Sequence, residues 1–264
     1  MSFKHITSRD NPVFKYYKKL SESAKERRAE GNTLLDGVHL IESYILKFGE
    51  PKVLIIPEGQ SSVEASHLIQ SLEHIATVML PTLMFAEITP VATSTGVLAL
   101  VEIPKLSAPD APNFVLMLED IQDPGNMGSM LRTAAAAGVE VVYLSEACTD
   151  VWSPKALRGG QGAQFVLPIV ERSNITEQLQ KFKGVSYATV LEGESLYTQD
   201  LTQASAFVMG NEGLGLRKQT IATANKKISI PMQINSVESL NAGAATAICL
   251  FERTRQIANK KEKE

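Results

Sequence analysis

Ala206-Phe-Val-Met-Gly-Asn-Glu-Gly-Leu-Gly-Leu-Arg217 decides how this chain is read, together with Ile228-Ser-Ile-Pro-Met232 and Ser239-Leu-Asn-Ala-Gly-Ala-Ala-Thr-Ala-Ile-Cys-Leu-Phe-Glu252. A short apolar run ends in a loop with glycines at 210, 213 and 215. A second apolar run ends at Pro231, and a long apolar helix then opens on Ser-Leu-Asn. Glycine lets a backbone approach a ligand closely and reach positive φ. Two such loops at strand ends therefore suit a small molecule held by main-chain groups. On the residues alone, the glycines serve equally well as turn-makers.

Outward from this stretch, strands and helices alternate. Asn113 to Leu118 reads as a buried strand, 126–137 as a helix, Glu140 to Leu144 as a strand. Ser153-Pro154 suits a helix start, Phe165 to Leu167 a strand, Ile175 to Phe182 a helix, Val185 to Leu191 a strand, and Leu240 to Ile257 the last helix. Such alternation implies a mostly parallel sheet. Residues 104–112 hold prolines 104, 109 and 112 and read as a linker; 259–264 is a solvated tail. Before the linker, residues 1–103 make a smaller α/β domain. Asn11-Pro12 opens a helix there, followed by a helix at Asp36 to Lys47 and a strand at Val53 to Ile56. A helix at Ser62 to Leu72, a strand at Thr77 to Leu80, a helix at Thr82 to Ile88 and a strand at Thr95 to Val101 complete it.

The chain has 264 residues, 44% hydrophobic and 21% charged, which is ordinary globular composition. Its formal net charge of −3 does not advertise nucleic acid. Charge location says more than the sum. Arg9, Lys15, Lys18, Lys19, Lys25, Arg27 and Arg28 cluster near Phe14, Tyr16 and Tyr17. They form either a solvated helix face or a phosphate-contacting surface. Cys148 and Cys249 match no metal spacing and read as free thiols of a reducing cytosol. The four histidines are scattered, so no metal is implied. The start lacks a signal-peptide core, and no apolar run reaches the ~18 residues of a membrane span.

Gly210-Asn211-Glu212-Gly213, Ile230-Pro231-Met232 and Ser239-Leu240-Asn241 resemble the second and third motifs of the SpoU-type (TrmH-like, SPOUT class) RNA 2'-O-ribose methyltransferases. The first motif stands upstream as Asp123-Pro-Gly-Asn126-Met-Gly-Ser-Met-Leu-Arg132. The resemblance covers 113–258. It implies an α/β protein whose C-terminal parallel-sheet domain carries a deep trefoil knot, beside an N-terminal α/β RNA-binding domain. It implies S-adenosylmethionine as methyl donor, a homodimer formed through the knotted domain, and structured RNA as substrate, 23S ribosomal RNA ahead of transfer RNA. The alternative is an RNA-binding protein with a decayed methyltransferase domain.

The same resemblance assigns the site. Gly210, Ile230 and Leu240 match positions whose backbone holds the cofactor. Arg132 is the first catalytic candidate. A guanidinium with pKa above ~12 is a poor base, so phosphate clamp and oxyanion stabiliser is its easier role. Asn126 either caps its helix or positions Arg132 or the ribose. Glu212 bonds neighbouring backbone, orients Arg132 or touches the substrate. Ser239 and Asn241 either cap the last helix or line the target-nucleotide pocket. Two departures stand out: Gly243 replaces a serine common in relatives, and Gln233 to Glu238 lacks their glycine and is one residue longer.

Overall fold

The computed structural model describes residues 3–59, 61–89, 94–233 and 237–262. Two compact units share the chain, Met1–Lys105 with Asp150–Phe165, and Leu106–Thr149 with Val166–Glu264.

The first unit runs β1 (Phe3–His5), α1 (Pro12–Glu22), α2 (Ala24–Glu30), β2 (Asn32–Asp36), α3 (Val38–Phe48), β3 (Val53–Pro57), α4 (Val63–Ser71), β4 (Thr77–Leu80), α5 (Thr82–Ile88) and β5 (Leu98–Glu102). The strands order as β1-β4-β3-β5-β2. β1, β4 and β3 run parallel, and β5 is antiparallel to both its neighbours. Asn11 caps α1 by accepting from Val13 N at 2.9 Å, and Pro12 loses nothing at the first helical position. Phe14 and Leu20 then face a core shared with Leu34, Ile55 and Leu98.

Three elements here escape the sequence reading: β1, α2 and β2. All five residues of β2 are buried, so no polar–apolar alternation marks it. In α2, Arg27 is 3% exposed; its Nε donates to Asp150 at 2.6 Å and its Nη1 donates to the Leu20 carbonyl. Arg27 therefore belongs to the interior and not to a phosphate-facing surface. Arg9 and Lys18 both pair with Glu87, and Lys15 pairs with Asp10.

The second unit holds β6 (Phe114–Leu118), α6 (Pro124–Ala137) and β7 (Val141–Leu144). α7 (Pro154–Gly160) follows in the chain, but its segment packs with the first unit, where the Thr33 hydroxyl donates to the Trp152 carbonyl at 2.7 Å. Then come β8 (Ile169–Val170), α8 (Ile175–Lys181), β9 (Val185–Ser195), β10 (Ser205–Met209), α9 (Lys218–Thr223), β11 (Lys226–Ser229) and α10 (Ala242–Lys261). The six strands order as β11-β9-β10-β6-β7-β8, and every pairing is parallel. β6 and β10 are buried along their whole length, as central strands covered on both faces must be.

One strand expectation fails. Phe165 to Leu167 is not a strand; Ala163–Phe165 is a 3-10 turn and the strand follows as β8. Phe165 is buried edge-on against Tyr44, with ring centres 5.5 Å apart, so aromatic packing rather than sheet pairing absorbs this apolar run.

Candidate active site

The 210–216 loop turns back on itself at the end of β10. A Cβ at Gly210 would lie 2.5 Å from Gly215 C and Leu216 N, so only glycine lets the two backbone stretches meet. Asn211 Oδ1 accepts from Gly213 N and Leu214 N, both at 2.9 Å, and Gly215 completes the turn with φ +69°. This loop, the stretch after β11 and the entry to α10 enclose a cleft of ≈ 470 Å³. Gly210, Glu212, Ile230, Ser239 and Leu240 all line it. The sequence reading missed its opposite wall, Thr189 to Leu191 of β9. Nothing local marks those residues, which lie between the two stretches of β9 that pair with β11. Of the Gln233 to Glu238 departure, 234–236 lie outside the described residues, and Glu238 lines the cleft.

Asn126, Glu212 and Asn241 come together. Asp123, not Asn126, caps α6, accepting from Asn126 N at 2.7 Å. The Asn126 side chain is thereby left for other work. Its Nδ2 donates to Glu212 Oε1 at 2.9 Å, and its Oδ1 accepts from Asn241 Nδ2 at 3.0 Å. Asn241 also caps α10, its Oδ1 accepting from Ala244 N at 3.2 Å, so its amide serves the helix start and Asn126 together. A side chain at Gly243 would crowd the same cap: its Cβ would sit 3.1 Å from Asn241 Oδ1. Arg132 is exposed on α6 and is not among the residues lining the cleft. Among the described residues no hydrogen bond or ion pair holds it.

The lining fits S-adenosylmethionine. Among the described residues, Glu212 and Glu238 are the charged ones lining the cleft, with no lysine or arginine beside them. A phosphate-bearing ligand would find no counter-charge there, whereas a cationic sulfonium donor would find carboxylates together with the apolar Val190, Leu191, Met209 and Ile230. Thr189, on the cleft wall, turns its hydroxyl to the buried Cys249 thiol. Burial pushes that thiol up to about 12, so it stays protonated and inert.

A parallel α/β domain with this cleft at its strand ends has the form of an S-adenosylmethionine-dependent RNA methyltransferase. Residues 113–251 match the SpoU rRNA Methylase family. An uncharacterized tRNA/rRNA methyltransferase of Synechocystis sp. is 32% identical, covering 95% of this chain and 93% of that protein. A 23S rRNA guanosine-2'-O-methyltransferase of Bacillus subtilis is also 32% identical, covering 94% and 98%. Among solved structures, the SpoU methyltransferase AviRb from Streptomyces viridochromogenes, in complex with AdoMet, superposes with TM-score 0.78 at 26% identity, covering 94% of this chain and 100% of that one. This chain belongs to the SpoU rRNA methylase family, whose enzymes are S-adenosylmethionine-dependent RNA 2'-O-ribose methyltransferases.

Proposed function

We propose that this protein methylates a ribose 2'-hydroxyl of 23S ribosomal RNA. The observation that carries the reading is the Asn241–Asn126–Glu212 chain of hydrogen bonds beside a cleft without cations. It ties all three motif segments into one polar edge. The ribosomal RNA substrate rests on what the Bacillus subtilis relative is named to act on.

When bound, S-adenosylmethionine supplies the methyl group to be transferred. The backbone at Gly210, Ile230 and Leu240 would hold the donor in the cleft these residues line. Glu212 and Asn241 fix the Asn126 amide, which orients the ribose together with Ser239. Arg132 clamps the adjoining phosphate and stabilises the oxygen as its proton passes to solvent water. The exposure of Arg132 on α6, which packs against α10 with its exposed Phe251, supports a homodimer through these helices that delivers Arg132 to a cleft. We further read the chain as knotted. In support, Gln256 of α10 accepts from Leu201 N at 2.9 Å and donates to the Gln199 carbonyl at 3.1 Å, which ties the last helix to an earlier loop. The N-terminal unit is read as the RNA-binding module. We place the protein in the cytoplasm, where its two unpaired thiols stay reduced.

The test is labelled-methyl transfer to bulk ribosomal and transfer RNA, wild type beside Arg132→Ala, followed by mapping of the methylated riboses. Labelling of ribosomal RNA that falls ~100-fold or more in the variant supports the mechanism. Labelling that survives intact removes Arg132 from it. Label in transfer RNA alone changes the substrate, and cofactor and RNA binding without transfer identifies a decayed enzyme.

A further inference from the structure

Asp120, just past β6, holds φ +58°, a left-handed conformation that residues with a Cβ adopt only against a steric cost. Such a cost persists where the surroundings over-determine it, and here each polar group of Asp120 is engaged. Its N–H donates to Ser145 Oγ at 2.9 Å, and its Oδ1 accepts from the same hydroxyl at 2.7 Å. Its carbonyl accepts from Asn211 Nδ2 at 2.9 Å. Its Oδ2 accepts from Arg217 Nε at 3.0 Å and Nη2 at 2.7 Å. The preceding Glu119 is buried and accepts from Arg217 N at 2.8 Å and Thr220 Oγ1 at 2.5 Å.

Asn211 and Arg217 are the two ends of the loop whose residues Glu212 to Leu216 line the cleft. Both ends are thus fastened to one dipeptide. Three residues further along the chain, Asp123 caps the helix that carries Asn126. Asp120 and Arg217 do not line the cleft themselves.

We infer that Asp120 and Arg217 form a latch that fixes the 211–217 loop in its donor-receiving shape, which makes both of them positioning residues. This rests on reading the cleft as the S-adenosylmethionine site. The Arg217 side chain is 62% exposed, and an exposed ion pair adds little to global stability. The latch therefore acts on the loop and leaves the sheet alone. Asp120→Asn tolerates the left-handed backbone and keeps an acceptor for Ser145, but loses the charge facing Arg217. Asp120→Gly relieves the backbone and removes the latch outright.

The experiment uses the full chain. Amide hydrogen exchange of the 211–217 loop is measured without ligand, and S-adenosylmethionine binding is measured by calorimetry. Asp120→Asn, Asp120→Gly, Arg217→Gln and Arg217→Lys are compared with wild type. The expected result is loop exchange faster by about tenfold and binding weaker by about three- to tenfold, with melting temperatures within about 2 °C of wild type. Arg217→Lys should recover part of the loss. The double variant Asp120→Asn/Arg217→Gln should be no worse than its poorer single. Unchanged loop exchange, or faster exchange spread over β6 and β10 as well, overturns the latch. Wild-type protein that does not bind S-adenosylmethionine overturns the reading of the cleft instead, while loop exchange still judges the latch.

Discussion

Replacing Asn126 by aspartate tests the polar edge of the site with almost no change of shape. The Asn126 Oδ1 bond from Asn241 survives the exchange, but the atom facing Glu212 changes from an N–H donor to a carboxylate oxygen at about the same 2.9 Å. Two unit charges at that separation repel by about 1.4 kcal/mol in a water-like dielectric, the relevant limit for exposed groups. That equals about one pKa unit or a tenfold effect. The pair's folded-state pKa is therefore raised above its unfolded value. The repulsion is absent below the ordinary carboxylate range, where a proton bridges the two groups, and sets in as pH rises through the raised value. Methyl-transfer rates from about pH 5 to 8.5 are the assay. We expect Asn126→Asp to run about tenfold or more below wild type near pH 7.5, with the gap closing toward pH 5. Asn126→Ala should show a gap that does not depend on pH. An Asn126→Asp variant that matches wild type throughout, or trails it by a constant factor, would refute a working Asn126–Glu212 contact.

Further outcomes follow from particular distances. Gly210→Ala must push Gly215 and Leu216 backbone aside, at a cost of about 1–3 kcal/mol, so donor binding measured by calorimetry should weaken ten- to a hundredfold or so. Arg27→Ala leaves Asp150 buried without its partner and should cost about 3–5 kcal/mol in urea unfolding, whereas Lys19→Ala and Arg28→Ala should stay within about 0.5 kcal/mol. Asp36 is pushed above the ordinary carboxylate range by burial, against the opposing Thr89 and Ser94 hydroxyls and Arg158. The folded state thus binds this proton more tightly than the unfolded chain, and stability drains away as pH rises through the raised value. Asp36→Asn lacks that titration, so thermal melts from acid to neutral pH should show the variant gaining on wild type as pH increases.

Local chemistry made much of the architecture readable. Asn11-Pro12 and Ser153-Pro154 each combine a capping side chain with a proline at the first helical turn, and both begin helices. Thr77 to Leu80 is a strand with the bounds its apolar run implies. β2 was invisible because burial on both faces erases the period of two. Phe165 was misread because an apolar run looks the same whether it pairs in a sheet or fills an aromatic cluster. Asn126 was left open because a capping amide and a bridging amide have the same sequence, and only the bond that Asp123 accepts from the helix start decides between them.

By itself, then, the order of residues determined the α/β class, the parallel domain and the three motif segments, since caps, glycines and periodicity act between near neighbours. The pairing of Asn126 with Glu212, 86 positions apart, and with Asn241, 115 apart, was decided only in three dimensions. So were the burial of Arg27 and the strained hold of Asp120 on both ends of the cleft loop. Hydrogen bonds reach about 3 Å, and which distant side chains come within that reach depends on how the strands order themselves in the sheet.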